Sequence, residues 1–337
     1  MKKQKIIFAL VGILIFYGVI GHIINAGAQK DLKSAADPQI KVVATTTILR
    51  DFSQQIIGDK GSVSVIIEGG MCPGHYDYTP SDINLVSDAD IVLYHGFEWN
   101  QFLQELLTAA DNTDAAYSMS GDGGLGWTQW GSPGNAPLFL DVICTHLNNT
   151  YPILNETFNQ NCDNFKAHIS TKKAEIEAQN ALYYNFTDVK AYIMKHQTAF
   201  MSWLGFNITG DWDKDDNSMT PSDFDAIIDG AYETDAEIIV MNYQSGTDIG
   251  KEAADYLGIP SVPLLNFPGV YGIQTYLEQL DFNIALLNWA LNNGADPRTS
   301  SNEIGLDLWI PLATFALIGI LLIIYMRSRN IKAQIRN

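Results

Sequence analysis

The chain of 337 residues carries 20 lysines and arginines against 38 aspartates and glutamates, which gives a net charge of −18. Binding to nucleic acid depends on basic side chains that neutralise phosphates, so this balance excludes nucleic acid as a partner and favours cations. With 47% hydrophobic and 17% charged residues, the chain is predicted to bury a hydrophobic core, and its length fits two medium domains.

The two ends of the chain predict membrane targeting. Lysines precede an uncharged apolar stretch that closes on Ala26-Gly27-Ala28, so residues 1–28 are predicted to be a signal peptide or signal anchor. Residues 306–326 include 19 uncharged residues at 308–326, which are enough to form a transmembrane helix, and the basic tail at 327–337 would then lie in the cytoplasm. The sequence thus predicts a cell-membrane protein with its ectodomain outside, on the cell surface, and its C-terminus in the cytoplasm.

The cysteines and sequons agree with an extracytoplasmic location, where disulfides are permitted. Cys144 and Cys162 lie on either side of Pro152 between two helix-like stretches, so a helical hairpin would allow them to form a disulfide, with Cys72 left unpaired. Potential glycosylation sites occur at Asn148, Asn155, Asn185 and Asn207.

Strand-like and helix-like segments alternate from residue 40 onward, which predicts an α/β lobe with a parallel sheet over residues 40–150. Its strand-like segments are 41–45, 63–67 and 91–94, and its helix-like segments are 48–57 and 80–87. Residues 118–137 are rich in glycine, serine and tryptophan and lack periodicity, so they are predicted to form a long surface loop.

One long helix is predicted over residues 156–184, because apolar residues recur there at helical spacing and residues 157–181 lack proline and glycine. A second alternation of strands and helices follows over residues 188–295, with strand-like segments at 189–194, 238–241 and 262–265. The predicted fold class is therefore α/β, with two parallel-sheet lobes bridged by one long helix.

Motifs for catalysis and nucleotide binding are missing. The sequence has no Walker A loop, no H-E-x-x-H and no G-x-S-x-G, so it is predicted not to be an enzyme. The glycine-rich run at 121–126 opens no apolar helix and does not predict a dinucleotide site. The acidic run at 211–217 resembles a calcium loop, but Phe224 stands where the closing glutamate belongs, so a solvated acidic turn is predicted.

The most informative segment is residues 69–82, between a predicted strand and a predicted helix. It places Cys72, His75 and Asp77, three side chains that bind metals, on one short loop. His196 follows a predicted strand at the equivalent place in the second lobe. Because open α/β sheets bind ligands at the carboxyl ends of their strands, these residues predict a cleft between the two lobes.

The sequence resembles the zinc/manganese-type solute-binding proteins of ABC importers. The similarity extends over residues 40–292 and implies two α/β lobes, a rigid bridging helix and a metal bound between the lobes without catalysis. It rests on Val43-Ala44-Thr45-Thr46-Thr47-Ile48, Thr79-Pro80-Ser81-Asp82, Tyr94-His95-Gly96 and the turn from Pro263 to Gly269.

The resemblance also implies a divergent metal site. Alignment with the family's ligand motifs places Gly74 on the first ligand position, with His75 one residue later and Cys72 where the family has aspartate. Pro137 falls on the second position and His196 on the third. The implied metal ligands are His75, His196, Cys72, Asp77 and Asn266, the last on the family's fourth position, where a neutral amide replaces a carboxylate. The implied cleft residues are Asn242, Tyr243, Gln244 and Phe139.

The resemblance implies that the protein delivers a divalent metal to a membrane ABC permease with a cytoplasmic ATPase. A mixture of cysteine and histidine favours zinc over manganese, which prefers carboxylate and carbonyl oxygen. Two alternatives remain open at this stage. Aromatic side chains near the cleft would suit a metal chelate or an organic ligand. The other alternative is a surface adhesin that has kept the fold of the family and lost the metal site.

Overall fold

The computed structural model describes residues 39–96, 101–120 and 129–293. The predicted signal segment at 1–28, the predicted span at 306–326 and the tail at 327–337 lie outside these ranges. Within the described ranges, no helix combines the length and the apolar character that crossing a bilayer requires.

The N-terminal lobe is built on a four-stranded parallel sheet in the order β2-β1-β3-β4. Its core strand, β1, reads as an almost unbroken apolar and threonine run and is buried at six of seven positions, as a strand covered on both faces should be. The strands are β1 (Ile40–Thr46), β2 (Gly61–Ile67), β3 (Ile91–Tyr94) and β4 (Ala116–Ser118), and the helices are α1 (Thr47–Ile57), α2 (Pro80–Ser87), α3 (Gln101–Ala109) and α4 (Ala136–Thr150).

The C-terminal lobe repeats this arrangement with a parallel sheet in the order β6-β5-β7-β8. The strands are β5 (Lys190–Met194), β6 (Asn207–Trp212), β7 (Ile238–Asn242) and β8 (Ser261–Leu264), and the helices are α6 (Thr198–Leu204), α7 (Pro221–Glu233), α8 (Asp248–Leu257) and α9 (Tyr276–Asn293). Two parallel-sheet lobes, as the sequence predicted, are therefore present.

The helices that follow β2 and β6 begin with the same four residues. Thr79-Pro80-Ser81-Asp82 starts α2 and residues 220–223, again Thr-Pro-Ser-Asp, start α7. In each case the aspartate carboxylate accepts a hydrogen bond from the backbone N–H of the threonine, at 2.7 Å in α2 and 2.9 Å in α7. Proline at the first helical position and this capping box fix the residue at which each helix begins.

A single 25-residue helix, α5 (Asn155–Gln179), connects the lobes. At 1.5 Å per residue it is about 38 Å long. Its first half contacts the N-terminal lobe, where Asn161 donates a hydrogen bond to the carbonyl oxygen of Ile56 at 2.9 Å. Its second half contacts the C-terminal lobe, where Glu177 accepts a hydrogen bond from the Trp203 indole at 2.9 Å.

One hydrophobic cluster runs through both lobes, and Trp130 lies in it. The sequence predicted a surface loop over residues 118–137, yet the Trp130 side chain is fully buried. Its indole stacks against Phe267 of the other lobe with ring centroids 5.8 Å apart and donates a hydrogen bond to the carbonyl oxygen of Asn266 at 3.0 Å. The lobes thus share part of their core, which the glycine-rich composition of the segment concealed.

The backbones of the two lobes also touch directly. Thr47 donates a hydrogen bond to the carbonyl oxygen of Pro268, and Gln244 donates one to the carbonyl oxygen of Gly69 at 2.7 Å. A Cβ atom at position 69 would lie 2.0 Å from the Pro268 carbonyl oxygen, so only glycine permits this approach.

The predicted disulfide between Cys144 and Cys162 is not formed: both are free thiols, as is Cys72. Helices α4 and α5 do bring the pair together. The Cys144 thiol instead donates to Asn159 Oδ1 at 3.3 Å. The hydrogen bond with Cys144 and burial raise the pKa of the Cys162 thiol, whereas the hydrogen bond with Cys162 lowers the pKa of Cys144.

Candidate functional site

A cavity of about 120 Å³ lies where the carboxyl ends of the strands of both lobes meet. The polar side chains that line it lie at the carboxyl end of a strand or in the loop that follows one, where parallel α/β sheets place their ligands. These side chains include Cys72, His196, Asp213, Asp215, Gln244 and Asn266.

His196 is the only histidine that lines the cavity among the described residues. It follows β5 in a single 3-10 turn, and its side chain is 10% exposed. Burial lowers the pKa of His196 to about 4, and the carboxylate of Asp213, with Oδ1 4.0 Å from His196 Nε2, only partly opposes this. The imidazole is therefore neutral at physiological pH, which is the form that binds a metal ion.

Cys72 reaches the cavity from the N-terminal lobe, in the loop that follows β2. Burial, together with the nearby negative charge of Asp215, raises the pKa of the Cys72 thiol. The thiol is thus protonated at neutral pH and has to lose its proton to become a metal ligand.

Two carboxylates that the sequence assigned to a solvated acidic turn also line the cavity. Asp213 and Asp215 follow β6, and each already has a nitrogen-bearing side chain beside it. Asp213 Oδ2 lies 3.2 Å from Lys195 Nζ, and Asp215 Oδ2 lies 3.0 Å from His75 Nε2. Burial opposes ionisation of Asp215, but hydrogen bonds from His75 and from the segment after it outweigh this and hold its pKa below the ordinary value.

The amide side chains at the base of the cavity differ in their hydrogen bonding. Gln244 donates to the Gly69 and Phe267 carbonyl oxygens and accepts from the Asn266 N–H at 2.9 Å, so its amide is fully used. Asn242 is held by Gln197 and Ser245. Asn266 is 3% exposed, and its backbone N–H is the group that donates to Gln244.

The other predicted site residues lie at the rim or elsewhere. His75 sits at the rim beside Asp215, Asp77 is exposed and does not line the cavity, and Tyr243 packs edge-on against Tyr271. The prediction that Phe139 lines the cleft is wrong. It is buried in α4 and packs edge-on against Trp130, because it lies on the apolar face of that helix.

Within the described residues, no three histidine, cysteine, aspartate or glutamate side chains are close enough together to share one ion as they stand. The cavity nevertheless combines an imidazole, a thiol, two carboxylates and an amide, a donor set that suits divalent transition metals. The two aspartates were not predicted as site residues, because the strand before them, β6, has a polar composition and was not recognised as a strand.

Comparisons with known sequences place the chain among metal-transport proteins. A family model described as the periplasmic zinc-uptake complex component A, ZnuA, matches residues 42–290. The manganese-binding lipoprotein MntA of Halalkalibacterium halodurans is 22% identical over 306 residues, which cover 83% of this chain and 97% of that protein. The iron-binding protein YfeA of Yersinia pestis is 26% identical over 179 residues, covering 50% of this chain and 57% of that protein.

Solved structures show the same fold. The Mn-bound periplasmic metal binding protein of Candidatus Liberibacter asiaticus matches with a TM-score of 0.62 at 17% identity, over 75% of this chain and 100% of that one. The Ni²⁺ complex of the solute-binding protein FpvC from P. aeruginosa matches with a TM-score of 0.65 at 17% identity, over 75% of this chain and 97% of that one.

The localisation predicted from the sequence, a membrane-spanning protein with a cytoplasmic C-terminus, is wrong. Similar proteins are named as lipoproteins or periplasmic proteins, and no helix of the described ranges has the properties of a membrane span. The apolar composition of residues 306–326, on which the prediction rested, lies outside those ranges.

Proposed function

Because the chain belongs to the periplasmic zinc-uptake complex component A family, we propose that it is the solute-binding component of an ABC importer and binds a divalent transition metal, with zinc preferred. It acts without catalysis: it holds the ion between its lobes and presents it to a membrane permease driven by a separate ATPase. The lobes are residues 40–150 and 188–295, and residues 156–184 bridge them.

The observation that carries this proposal is the set of donors around the cavity. A neutral imidazole from one lobe and a thiol from the other lie at the same opening, His196 and Cys72, with carboxylates beside them. Zinc accepts nitrogen, sulfur and oxygen ligands together, whereas manganese prefers oxygen. We therefore place zinc first, with His196 as the central ligand.

The size of the cavity favours a bare ion over a chelate. Sites for organic ligands usually measure about 300–1,000 Å³, whereas this cavity measures about 120 Å³. Phe139, one of the aromatic side chains that favoured an organic ligand, lies in the core.

The test is a thermal unfolding titration of the chelator-stripped full chain with zinc, manganese, iron, cobalt, nickel and copper. A ligand at about 100 times its Kd adds about 2.7 kcal/mol to the free energy of unfolding, which raises the midpoint by several degrees. We expect the largest shift with zinc, its loss in His196→Ala, and its retention in His168→Ala, which removes an exposed histidine of α5.

The outcomes separate the alternatives. A larger shift with manganese would contradict the zinc preference and leave metal delivery in place. The absence of a shift with every metal would contradict the proposed function and favour a surface protein that has kept only the scaffold.

A further inference from the structure

We infer, on the basis of the proposed function, that Asp213 supplies the carboxylate ligand that position 266 lacks, and that Lys195 occupies this carboxylate until the metal displaces it. The negative charge of the site then comes from the loop after β6. This makes Lys195 a determinant of affinity through direct competition with the ion.

Asp213 is the carboxylate available for a metal. Its Oδ1 lies 4.0 Å from His196 Nε2, so a small movement brings both atoms to one ion. Its Oδ2 has Lys195 Nζ at 3.2 Å, and the two side chains are 59% and 58% exposed. An exposed pair of this kind contributes only about 0–1 kcal/mol, so a divalent ion can replace the lysine.

Asp215 stabilises the loop instead of binding the metal. Its Oδ1 accepts hydrogen bonds from the backbone N–H groups of Asn217 and Ser218, at 3.0 and 3.2 Å, and its Oδ2 faces His75 across the opening. These contacts hold the turn after β6 against the loop after β2. Asp215 is thus a positioning residue that keeps Asp213 at the cavity.

The position of Asp213 matches that of Cys72 in the other lobe. Cys72 stands seven residues before Thr79, and Asp213 stands seven residues before Thr220. The two threonines begin α2 and α7, which follow equivalent strands of sheets with the same strand order. Positions seven residues before the two helix caps therefore meet at one cavity, one with a thiol and the other with a carboxylate, although the loop after β2 is longer than the loop after β6.

Asn266 supports the inference independently. It is 3% exposed and lines the cavity, and its backbone N–H donates a hydrogen bond to Gln244 Oε1 at 2.9 Å. Its amide oxygen is therefore held at the cavity, where it suits a metal ion as a neutral oxygen ligand. The amide is neutral, however, and cannot balance the charge of a divalent ion, whereas Asp213 can.

The chain offers a matched control at the other end of the same strand. Lys190 lies at the start of β5 and pairs with Asp235 at 3.4 Å, whereas Lys195 follows the end of β5 and pairs with Asp213 at 3.2 Å. Both pairs are exposed lysine–aspartate pairs of the C-terminal lobe. Only the second lies at the cavity.

The experiment measures zinc affinity by competition with a chelating dye in the full chain and in six variants. The variants are Asp213→Asn, Asp213→Glu, Lys195→Met, their controls Asp235→Asn and Lys190→Met, and the double variant Lys195→Met with Asp213→Asn. We expect Asp213→Asn to lower affinity at least about tenfold and Asp213→Glu to recover part of it. Lys195→Met should raise affinity by up to about fivefold, and this gain should vanish in the double variant. The two controls should match the wild type.

Three results would overturn the inference: wild-type affinity in Asp213→Asn, equal gains in Lys195→Met and Lys190→Met, or a gain that persists in the double variant. The midpoint of the metal-free variants identifies any loss of folding, which the exposed Asp213 side chain is not expected to cause. If the wild type binds no metal, the proposed function itself fails. If it binds metal and Asp213→Asn binds equally well, only this inference fails.

Discussion

The two lobes have the same strand order but contribute unequally to the cavity. The C-terminal lobe provides polar side chains after all four of its strands, among them His196, Asp213 and Asn266. Among the described residues, the N-terminal lobe provides only the loop after β2, through Cys72 and its neighbours. The comparison teaches that a shared topology fixes where side chains can meet, while the residues that cover each strand end decide whether they reach a ligand.

Two histidines illustrate the difference. His95 directly follows β3, as His196 follows β5, yet His95 is 1% exposed and stacks on Trp130 with ring centroids 4.5 Å apart. It shares a hydrogen bond with Thr46 Oγ1 at 2.9 Å. Trp130 and Phe267 cover this strand end, so the histidine there serves the core and the one in the other lobe serves the cavity.

The largest effect on stability is expected from the hydrophobic core that the two lobes share. Trp130→Ala removes a fully buried indole that packs against both lobes, and we expect it to lower the free energy of unfolding by about 3–5 kcal/mol. Urea denaturation measures this. Trp203→Ala, which removes a partly buried indole of α6, is the control and should cost clearly less. Two separate unfolding transitions in the wild type would show that the lobes do not share a core.

A smaller effect is expected where the backbones of the lobes touch. Gln244→Ala leaves the Gly69 and Phe267 carbonyl oxygens and the Asn266 N–H without their partner, which should cost about 2–3 kcal/mol. Gln197→Ala is the matched control, because that glutamine makes its hydrogen bonds within the C-terminal lobe. If Gln244→Ala alone also weakens metal binding, the contact between the lobes supports the cavity. Equal and small losses in both variants would contradict its role.

An effect that depends on pH concerns the buried histidine. Burial lowers the pKa of His95 to about 3, against 6.5 in an unfolded chain. Below pH 6.5 the unfolded state binds the proton and the folded state does not, so stability present above pH 6.5 is lost as the pH falls toward 3. The slope is about 1.4 kcal/mol per pH unit within this window. Urea denaturation of metal-free wild type and His95→Gln at pH 4, 5 and 6 should show this difference in slope, and parallel profiles would disprove it.

Periodicity predicted most of the fold, because buried strands and amphipathic helices impose clear patterns. The predicted strand at 189–194 is β5 at 190–194, and the helix predicted over 156–184 is α5 at 155–179. Two edge strands were missed. β4 has three residues, and β6 is a half-exposed edge strand with polar residues and Gly210, so neither carries a strong apolar signal.

The site was harder to predict than the fold. Metal-capable residue types drew attention to Cys72 and His196, which line the cavity, and to His75, which lies at its rim. Asp213 was not predicted as a site residue because an acidic run usually indicates a solvated turn. Whether such a turn lies at a cavity depends on the position in the sheet of the strand before it. The repeated Thr-Pro-Ser-Asp segment, seven residues after Cys72 and again after Asp213, was the signal in the sequence that related the two loops.

The close contact between Gly69 and Pro268 has a consequence for mutational tolerance. Any side chain at position 69 would begin 2.0 Å from a carbonyl oxygen, so in a library that samples all residues only glycine should survive there. Gly74, five residues later in the same loop, would place a Cβ 3.8 Å from the Cys72 sulfur, an ordinary contact. One loop thus combines a position that tolerates only glycine with a position at the cavity where a side chain fits.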